Sequence, residues 1–370
     1  MNLPVEVIRQ SGQLHTAVQE MGNSRAIVVD TEANSRHRYP EQLCLIQLAT
    51  PNKIFIVDTI QLGEIEPLRD ILHDTSIIKV FHTAEYDIRS LNRHFGFQIH
   101  GVFDVAVAAQ FIGITKFGLA NLLTDLLGIT IEKSTRLQKA DWGKRPLSTE
   151  ALKYAANDVR YLLGLREFLN VKLREFGRIS WVTEECARLE ELRYEPKDPN
   201  TIYLSVKGAG KLDGTSLSVL KALFLFREKI ALRKRRPPQY IMPDSTLVHL
   251  AENPESDLSK TPGLGQAKLN QFGMGLQRAL RKGLAKPPIY REKPERMGVK
   301  EQERLKRLKA WRASIGTSLF LDPSLIWPTV SLERISIAPN TLDIELKSSD
   351  IRHWQRERFV SSLSILSKSL

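Results

Sequence analysis

Apolar residues in the first half of the chain fall into two patterns. Short β-branched and aliphatic runs predict strands, and apolar positions three and four apart predict helices. Ile27, Val28 and Val29 form one run. LCLIQLAT (43–50) and KIFIVD (53–58) follow it, parted by Pro51-Asn52. The three read as a β-meander. IIKVFH (77–82) predicts a further strand. Helical spacing predicts a helix after a short lead-in over 5–21, and others over IEPLRDILHD (65–74), TAEYDIRSLNRHFG (83–96) and VFDVAVAAQFI (102–112), the last opened by Asp104. In GLANLLTDLLG (118–128) the leucines make one stripe, a core helix. A long helix with Ser148 as its N-cap is predicted over 148–169. A charged helix follows and ends at Pro196. KDPN and the glycines of VKGAGKLDG then mark a boundary. Beyond it the pattern is wholly helical, with a long helix from Ser216, a basic turn, a second helix in DSTLVHLAENPE and a last one closing at Leu284.

Charge divides the chain at the same place. The net charge is +12, yet residues 1–200 hold 24 basic and 26 acidic side chains, whereas residues 201–370 hold 30 and 16. A basic helical part behind a near-neutral α/β part suggests a polyanion grip attached to a catalytic unit. The two cysteines, Cys44 and Cys186, leave no disulfide framework and fit a reducing compartment. No signal pattern and no long apolar run is present, so a cytoplasmic, non-membrane protein is expected.

Candidate chemistry begins at the end of the first predicted strand. Asp30 and Glu32 are two apart and point to one face. A bound cation is the simplest way to keep two adjacent carboxylates ionised. Asp87 opens the helix after the 77–82 strand, either as an ordinary first-turn acid that favours the helix dipole or as a third carboxylate aimed over the strand ends. Tyr154 and Asp158 share a face of the 148–169 helix. Four converging carboxylates suit two-metal phosphoryl transfer, with two divalent ions ~3.5–4 Å apart on either side of the scissile phosphate. Oxygen ligands favour magnesium or manganese over zinc. The polar segment 131–150 looks like a functional loop. Its Lys133, Arg136, Gln138, Lys139, Lys144 and Arg145 either meet phosphates or are simply solvated.

These blocks, DTE at 30–32, HTAEYD at 82–87 and Y-x₃-D at 154–158, resemble the DEDD 3′→5′ exonuclease superfamily in its tyrosine branch. YPEQLCLIQLA (39–49), LTDLLGITIEKS (123–134) and DWGKRPLSTEALKYAANDVRYLL (141–163) resemble the ribonuclease D family within it. The resemblance covers residues 5–175. It implies a ribonuclease-H-like fold, a mixed sheet flanked by helices. It implies that Asp30, Glu32, Asp87 and Asp158 bind the two metals and that Tyr154 orients the attacking water. The family often has an aromatic residue directly after the D-x-E glutamate, and this chain has Ala33. A stacking partner for a terminal base would then come from elsewhere. His82 is expected to be structural, and Asp104 a cap or a support rather than a ligand.

The helical part resembles the HRDC domain, a small nucleic-acid-binding unit. Its Arg233, Lys234, Arg235 and Arg236 would contact phosphates, or else form a solvated turn. The pattern then returns with a shift of 85 residues. Leu220, Arg227, Ile230, Pro238 and Pro243 fall on Leu305, Arg312, Ile315, Pro323 and Pro328, part of ten identities in 35 ungapped positions. This is an internal repeat. Three domains are expected: residues 1–200, an exonuclease domain with a trailing helix; 201–290, an HRDC domain; and 298–370, a second, diverged HRDC-like bundle that either binds RNA or only packs against its neighbour. The proline-rich, basic stretch 285–298 would be a semi-rigid spacer.

The implied activity is metal-dependent 3′→5′ exoribonuclease action releasing mononucleotides, with precursors of tRNA as the RNA partner and no protein partner. A 3′→5′ DNA exonuclease is the alternative, because contacts to the 2′-hydroxyl, which tell RNA from DNA, are not legible in sequence. A non-catalytic RNA-binding scaffold would be expected to lack a metal ligand, and all four are present.

Overall fold

The structure, a computed structural model, describes residues 3–132, 134–291 and 297–368. Lys133 and part of the predicted spacer lie outside the described residues.

The apolar runs become one six-stranded sheet: β1 (Val5–Ile8), β2 (Ala26–Ala33), β3 (Leu43–Ala49), β4 (Ile54–Asp58), β5 (Ile78–Phe81) and β6 (Val102–Asp104). Its order is β1-β4-β3-β2-β5-β6. The meander β2-β3-β4 is antiparallel, as its tight spacing requires. The pairs β1–β4, β2–β5 and β5–β6 are parallel. β1 and β6 go beyond the predicted strands. They have four and three residues and lie at the two edges, too short to show a period of two. Every residue of β3 and β4 is buried, because helices cover both faces.

Those helices are α1 (Ser11–Gly22), α2 (Thr59–Leu62), α3 (Leu68–His73), α4 (Glu85–Phe95), α5 (Val105–Phe111), α6 (Leu119–Leu127), α7 (Thr135–Gln138), α8 (Thr149–Arg160), α9 (Leu162–Glu175) and α10 (Ile179–Glu190). The single helix predicted over 148–169 is two, parted at Tyr161. The break lets α8 lie on β2, β3 and β4 while α9 turns toward β5 and α5. Ser148 caps α8 by accepting from the Ala151 N–H. Gly96 ends α4 in the left-handed region at φ 67°.

The basic part opens with a bundle of α11 (Gly214–Lys234), α12 (Pro238–Ile241), α13 (Asp244–Glu252) and α14 (Gln266–Leu284) around a core of its own, which includes Leu220, Leu223, Leu247 and Leu276. A second bundle follows: α15 (Val299–Leu319), α16 (Pro323–Ile326), α17 (Thr329–Ile337), α18 (Leu342–Glu345) and α19 (His353–Ser367). The two keep the 85-residue register in three dimensions. Arg227 donates to the Met242 carbonyl and to Asp244, at 3.0 and 2.7 Å. Arg312 donates to the Trp327 carbonyl and the Thr329 hydroxyl, at 2.9 and 2.8 Å. The long helix of each copy stops at a left-handed residue, Arg235 in the first and Phe320 in the second.

Their surroundings differ. The second bundle shares the core of the α/β unit. Trp354 of α19 stacks on Trp181 of α10 with ring centres 4.5 Å apart, and Phe111 meets Trp354 edge-on. Arg178 donates to the Phe111 and Leu319 carbonyls, both at 2.7 Å, joining the two parts. At Gly113 (φ 90°) a Cβ would stand 2.6 Å from the Phe320 carbonyl, so this approach needs glycine. Among the described residues no helix is long and apolar enough to cross a membrane.

A candidate active site of four carboxylates and a tyrosine

β2 is the inner strand from which the site grows. Its register shifts between Glu32 and Ala33, directly after the second acid, and a bulge there re-aims the side chains at the strand end. Parallel β5 runs alongside and leads into α4, whose first turn carries Asp87. α8 crosses the sheet and presents Tyr154 and Asp158. Asp30, Glu32, Asp87, Tyr154 and Asp158 thus line one cavity of about 430 Å³. Among the described residues no lysine or arginine lines it.

The acids are crowded together with no basic partner among the described residues of the cavity wall. Burial, then the charges of Asp30, Asp158 and Asp87, push the Glu32 carboxyl from 4.5 to about 10. Burial and Asp30 push Asp158 from 3.8 to about 8, against a hydrogen bond from Tyr154. Burial raises Asp30 to about 6, eased by the Thr31 backbone. Asp87 is also held well above its usual range, first by burial and then by Asp30. The Thr31 hydroxyl opposes this by donating to Asp87 Oδ1 at 2.5 Å. Burial, Asp158 and Glu32 raise Tyr154, which therefore stays protonated. Among the described residues no three His, Cys, Asp or Glu side chains close round a single point. The four acids face one space. The four acids still fit hard divalent cations, and no cysteine is among the described residues that line the cavity.

Neighbouring groups hold the acids in place. Asp104 caps α5 and also accepts from the Thr83 and Ala84 N–H groups, at 3.1 and 2.8 Å. That fixes the turn before α4, where Thr83 has φ 60°, a rare conformation for a β-branched residue. Asp104 is therefore the cap and support expected of it. The His82 ring lines the cavity, with Nε2 2.9 Å from the Phe117 carbonyl.

The residues predicted to meet nucleic acid do not form one group. Gln138 lines the acidic cavity and hydrogen-bonds to Tyr154. Arg136 is exposed on α7 and pairs with Glu150. Lys133 lies outside the described residues. Arg145 is a correction. Its guanidinium clasps buried Asp58 and also donates to the Trp142, Lys144 and Cys44 carbonyls, which leaves no N–H for a phosphate. Arg233 and Lys234 close α11, and Arg235 caps it. The Arg235 carbonyl accepts from the Tyr39 N–H at 3.4 Å, and the Tyr39 hydroxyl donates to Glu228 at 2.5 Å. The basic run therefore sits where the first bundle meets the α/β unit. A cleft of about 470 Å³ opens beside this junction, with Arg38, Arg93 and Lys197 among its walls. Another cavity, of about 540 Å³, lies between α11 and α14 and is rimmed by Lys229, Arg233, Arg278 and Lys282. Among the described residues no carboxylate lines it.

Two groups at the site carried no signal in the sequence. They are Thr31, which lies between two acids, and Tyr86, which stands in the first turn of α4.

Comparison with known proteins agrees with this architecture. Residues 5–174 match the 3′-5′ exonuclease family model, and residues 216–280 match the HRDC domain. Ribonuclease D of Gluconacetobacter diazotrophicus is 28% identical over 362 residues, covering 95% of this chain and 90% of that protein. Ribonuclease D of Sphingobium indicum is 31% identical over 302 residues, covering 79% and 77%. The crystal structure of Escherichia coli RNase D, described as an exoribonuclease involved in structured RNA processing, has the same fold, with a TM-score of 0.75 over 100% of this chain and 99% of that one at 22% identity. With its exonuclease and HRDC parts in the same order and its likeness running nearly end to end, the chain belongs to the ribonuclease D family of exoribonucleases.

Proposed function

We propose that the enzyme removes nucleotides one at a time from RNA 3′ ends by hydrolysis that depends on two divalent cations, magnesium or manganese. One observation carries this reading: four carboxylates and a protonated tyrosine share a single cavity that no lysine or arginine among the described residues lines. Asp30, Glu32, Asp87 and Asp158 would hold the cations. Bound there, the cations would supply an activated water and charge for the leaving oxygen. Tyr154 keeps its proton and can donate or accept a hydrogen bond, which suits it to orient the attacking water. Thr31 and Asp104 fix Asp87 and its turn, so the acid does not have to be ordered at each turnover.

The division of labour we propose is an exonuclease domain over residues 1–200, an HRDC domain over 201–290 and an HRDC-like bundle over 298–370. The basic helical part would grip the body of a folded RNA while the 3′ end enters the acidic cavity. Precursors of tRNA have that form, a folded body with a trailing 3′ end. A cytoplasmic site of action is supported by two cysteines that are free and buried.

The test is degradation of matched 3′-labelled RNA and DNA with magnesium, with manganese and with EDTA. Metal-dependent mononucleotide release from RNA supports the reading. Equal activity on DNA makes the protein a general exonuclease, and silence on both overturns it. A tRNA precursor with extra 3′ nucleotides, trimmed faster than an unstructured RNA, supports the choice of substrate.

A further inference from the structure

We infer that the Tyr86 ring is the platform on which the base of the 3′-terminal nucleotide stacks. This rests on the exoribonuclease reading above and names what that site does with the end of its substrate.

Tyr86 directly precedes Asp87 and lines the carboxylate cavity. It is 47% exposed although it stands inside a built site. The other rings there are already engaged. Tyr154 packs against Trp142 with ring centres 6.1 Å apart, and its hydroxyl serves Asp158 and Gln138. His82 is tied to the Phe117 carbonyl. Among the described rings that line the cavity, Tyr86 is thus the exposed one. Its hydroxyl lies within electrostatic reach of Glu32 and Asp87. A base stacked on it would belong to a nucleotide whose phosphate lies at the acids.

The ring is also held in place beforehand. Its hydroxyl donates to Glu41 Oε2 at 3.3 Å. Glu41 Oε1 accepts from Arg93 at 2.6 Å. The Arg93 guanidinium in turn lies 4.6 Å from the centre of the Tyr194 ring. A ring fixed by such a chain loses little freedom when a base lands on it. Leu119, Ile131 and Leu162 supply the apolar remainder of the cavity wall. The chemistry matches a sequence-tolerant exonuclease. Every base has a π-face, so stacking holds the terminal nucleotide without reading its edges.

The experiment uses the full-length protein and RNAs that end in adenosine, in an abasic residue or in 2-aminopurine. Tyr86→Ala and Tyr86→Leu are compared with Tyr86→Phe and wild type, with thermal melting to establish that each variant is folded. Wild type is expected to favour the adenosine end over the abasic end in KM by about tenfold, the effect of a single base stacked on an aromatic ring. Tyr86→Phe is expected to keep that preference, and Tyr86→Ala and Tyr86→Leu to lose it, treating both RNAs alike. In EDTA, where no cleavage occurs, wild type and Tyr86→Phe are expected to quench terminal 2-aminopurine more strongly than Tyr86→Leu. A preference that survives unchanged in Tyr86→Ala and Tyr86→Leu overturns the assignment. Wild-type protein that cleaves no RNA overturns the nuclease reading and this inference with it, so the two failures are distinguishable.

Discussion

Arg145 grips Asp58 with two parallel hydrogen bonds of 2.6 and 2.7 Å, joining the loop before α8 to the end of β4. Asp58 is fully buried and also caps α2. Removing the guanidinium would leave a buried carboxylate without its counter-charge. Arg145→Ala is therefore expected to cost about 3–5 kcal/mol of stability. The salt dependence of RNA binding should not change. Chemical denaturation and binding titrations at several salt concentrations check the two halves of this prediction.

Asp30→Asn exchanges a cavity carboxylate for an amide of the same shape. Cleavage of RNA is expected to fall to background while RNA binding persists, because the helical part is untouched. Turnover at the wild-type rate would remove Asp30 from the proposed metal site.

The raised carboxyls link stability to pH and to metal. A carboxyl whose pKa is higher in the folded state holds its proton more tightly there. Its contribution is whole below the unfolded value, near 4, and is lost as pH rises through the folded value. Asp30 at about 6, Asp158 at about 8 and Glu32 at about 10 set the window. In EDTA, Tm is expected to fall as pH rises from about 4 towards 10. Saturating magnesium should flatten that decline, because a cation favours the ionised forms. A Tm profile that is the same with and without magnesium would count against cation binding at these acids.

Arg233, Lys234 and Arg236 can be replaced by alanine together, leaving Arg235 to close α11. RNA affinity is expected to weaken. Its log–log salt slope should fall by about 0.7–0.9 for each phosphate that is no longer neutralised. An unchanged slope would take this run out of the RNA interface.

Much of the fold was legible because its inner strands are continuous apolar runs, several of them bounded by turn residues. The meander, α4 with its closing Gly96, and the long helix of the first bundle follow from spacing, and the second bundle follows from the 85-residue repeat. The four acids and Tyr154 were legible because each stands at the end of a strand or on a helix face. What escaped depends on distant partners. Nothing near Arg145 announces Asp58, 87 residues away. Without that partner Arg145 looks like a free cation in a polar loop. The break at Tyr161 interrupts no apolar stripe, and the three residues of β6 exist as a strand only because β5 lies beside them.

Trp354 tests the union of the second bundle with the α/β unit. Trp354→Ala removes a buried ring stacked on Trp181 and is expected to cost about 3–5 kcal/mol. Because the core is shared, the loss should appear in the melting of the exonuclease part as well. The corresponding residue of the first bundle, Leu269, is only partly buried, and its replacement by alanine should leave that melting unchanged.

The two copies of the repeat thus face different evolutionary futures. The copy with its own core could be lost, exchanged or moved to another protein, and the nuclease beside it is expected still to fold. The copy that shares a core has given up that independence. It can drift in surface and in charge, as its missing basic run shows, but it must be inherited together with the nuclease it completes.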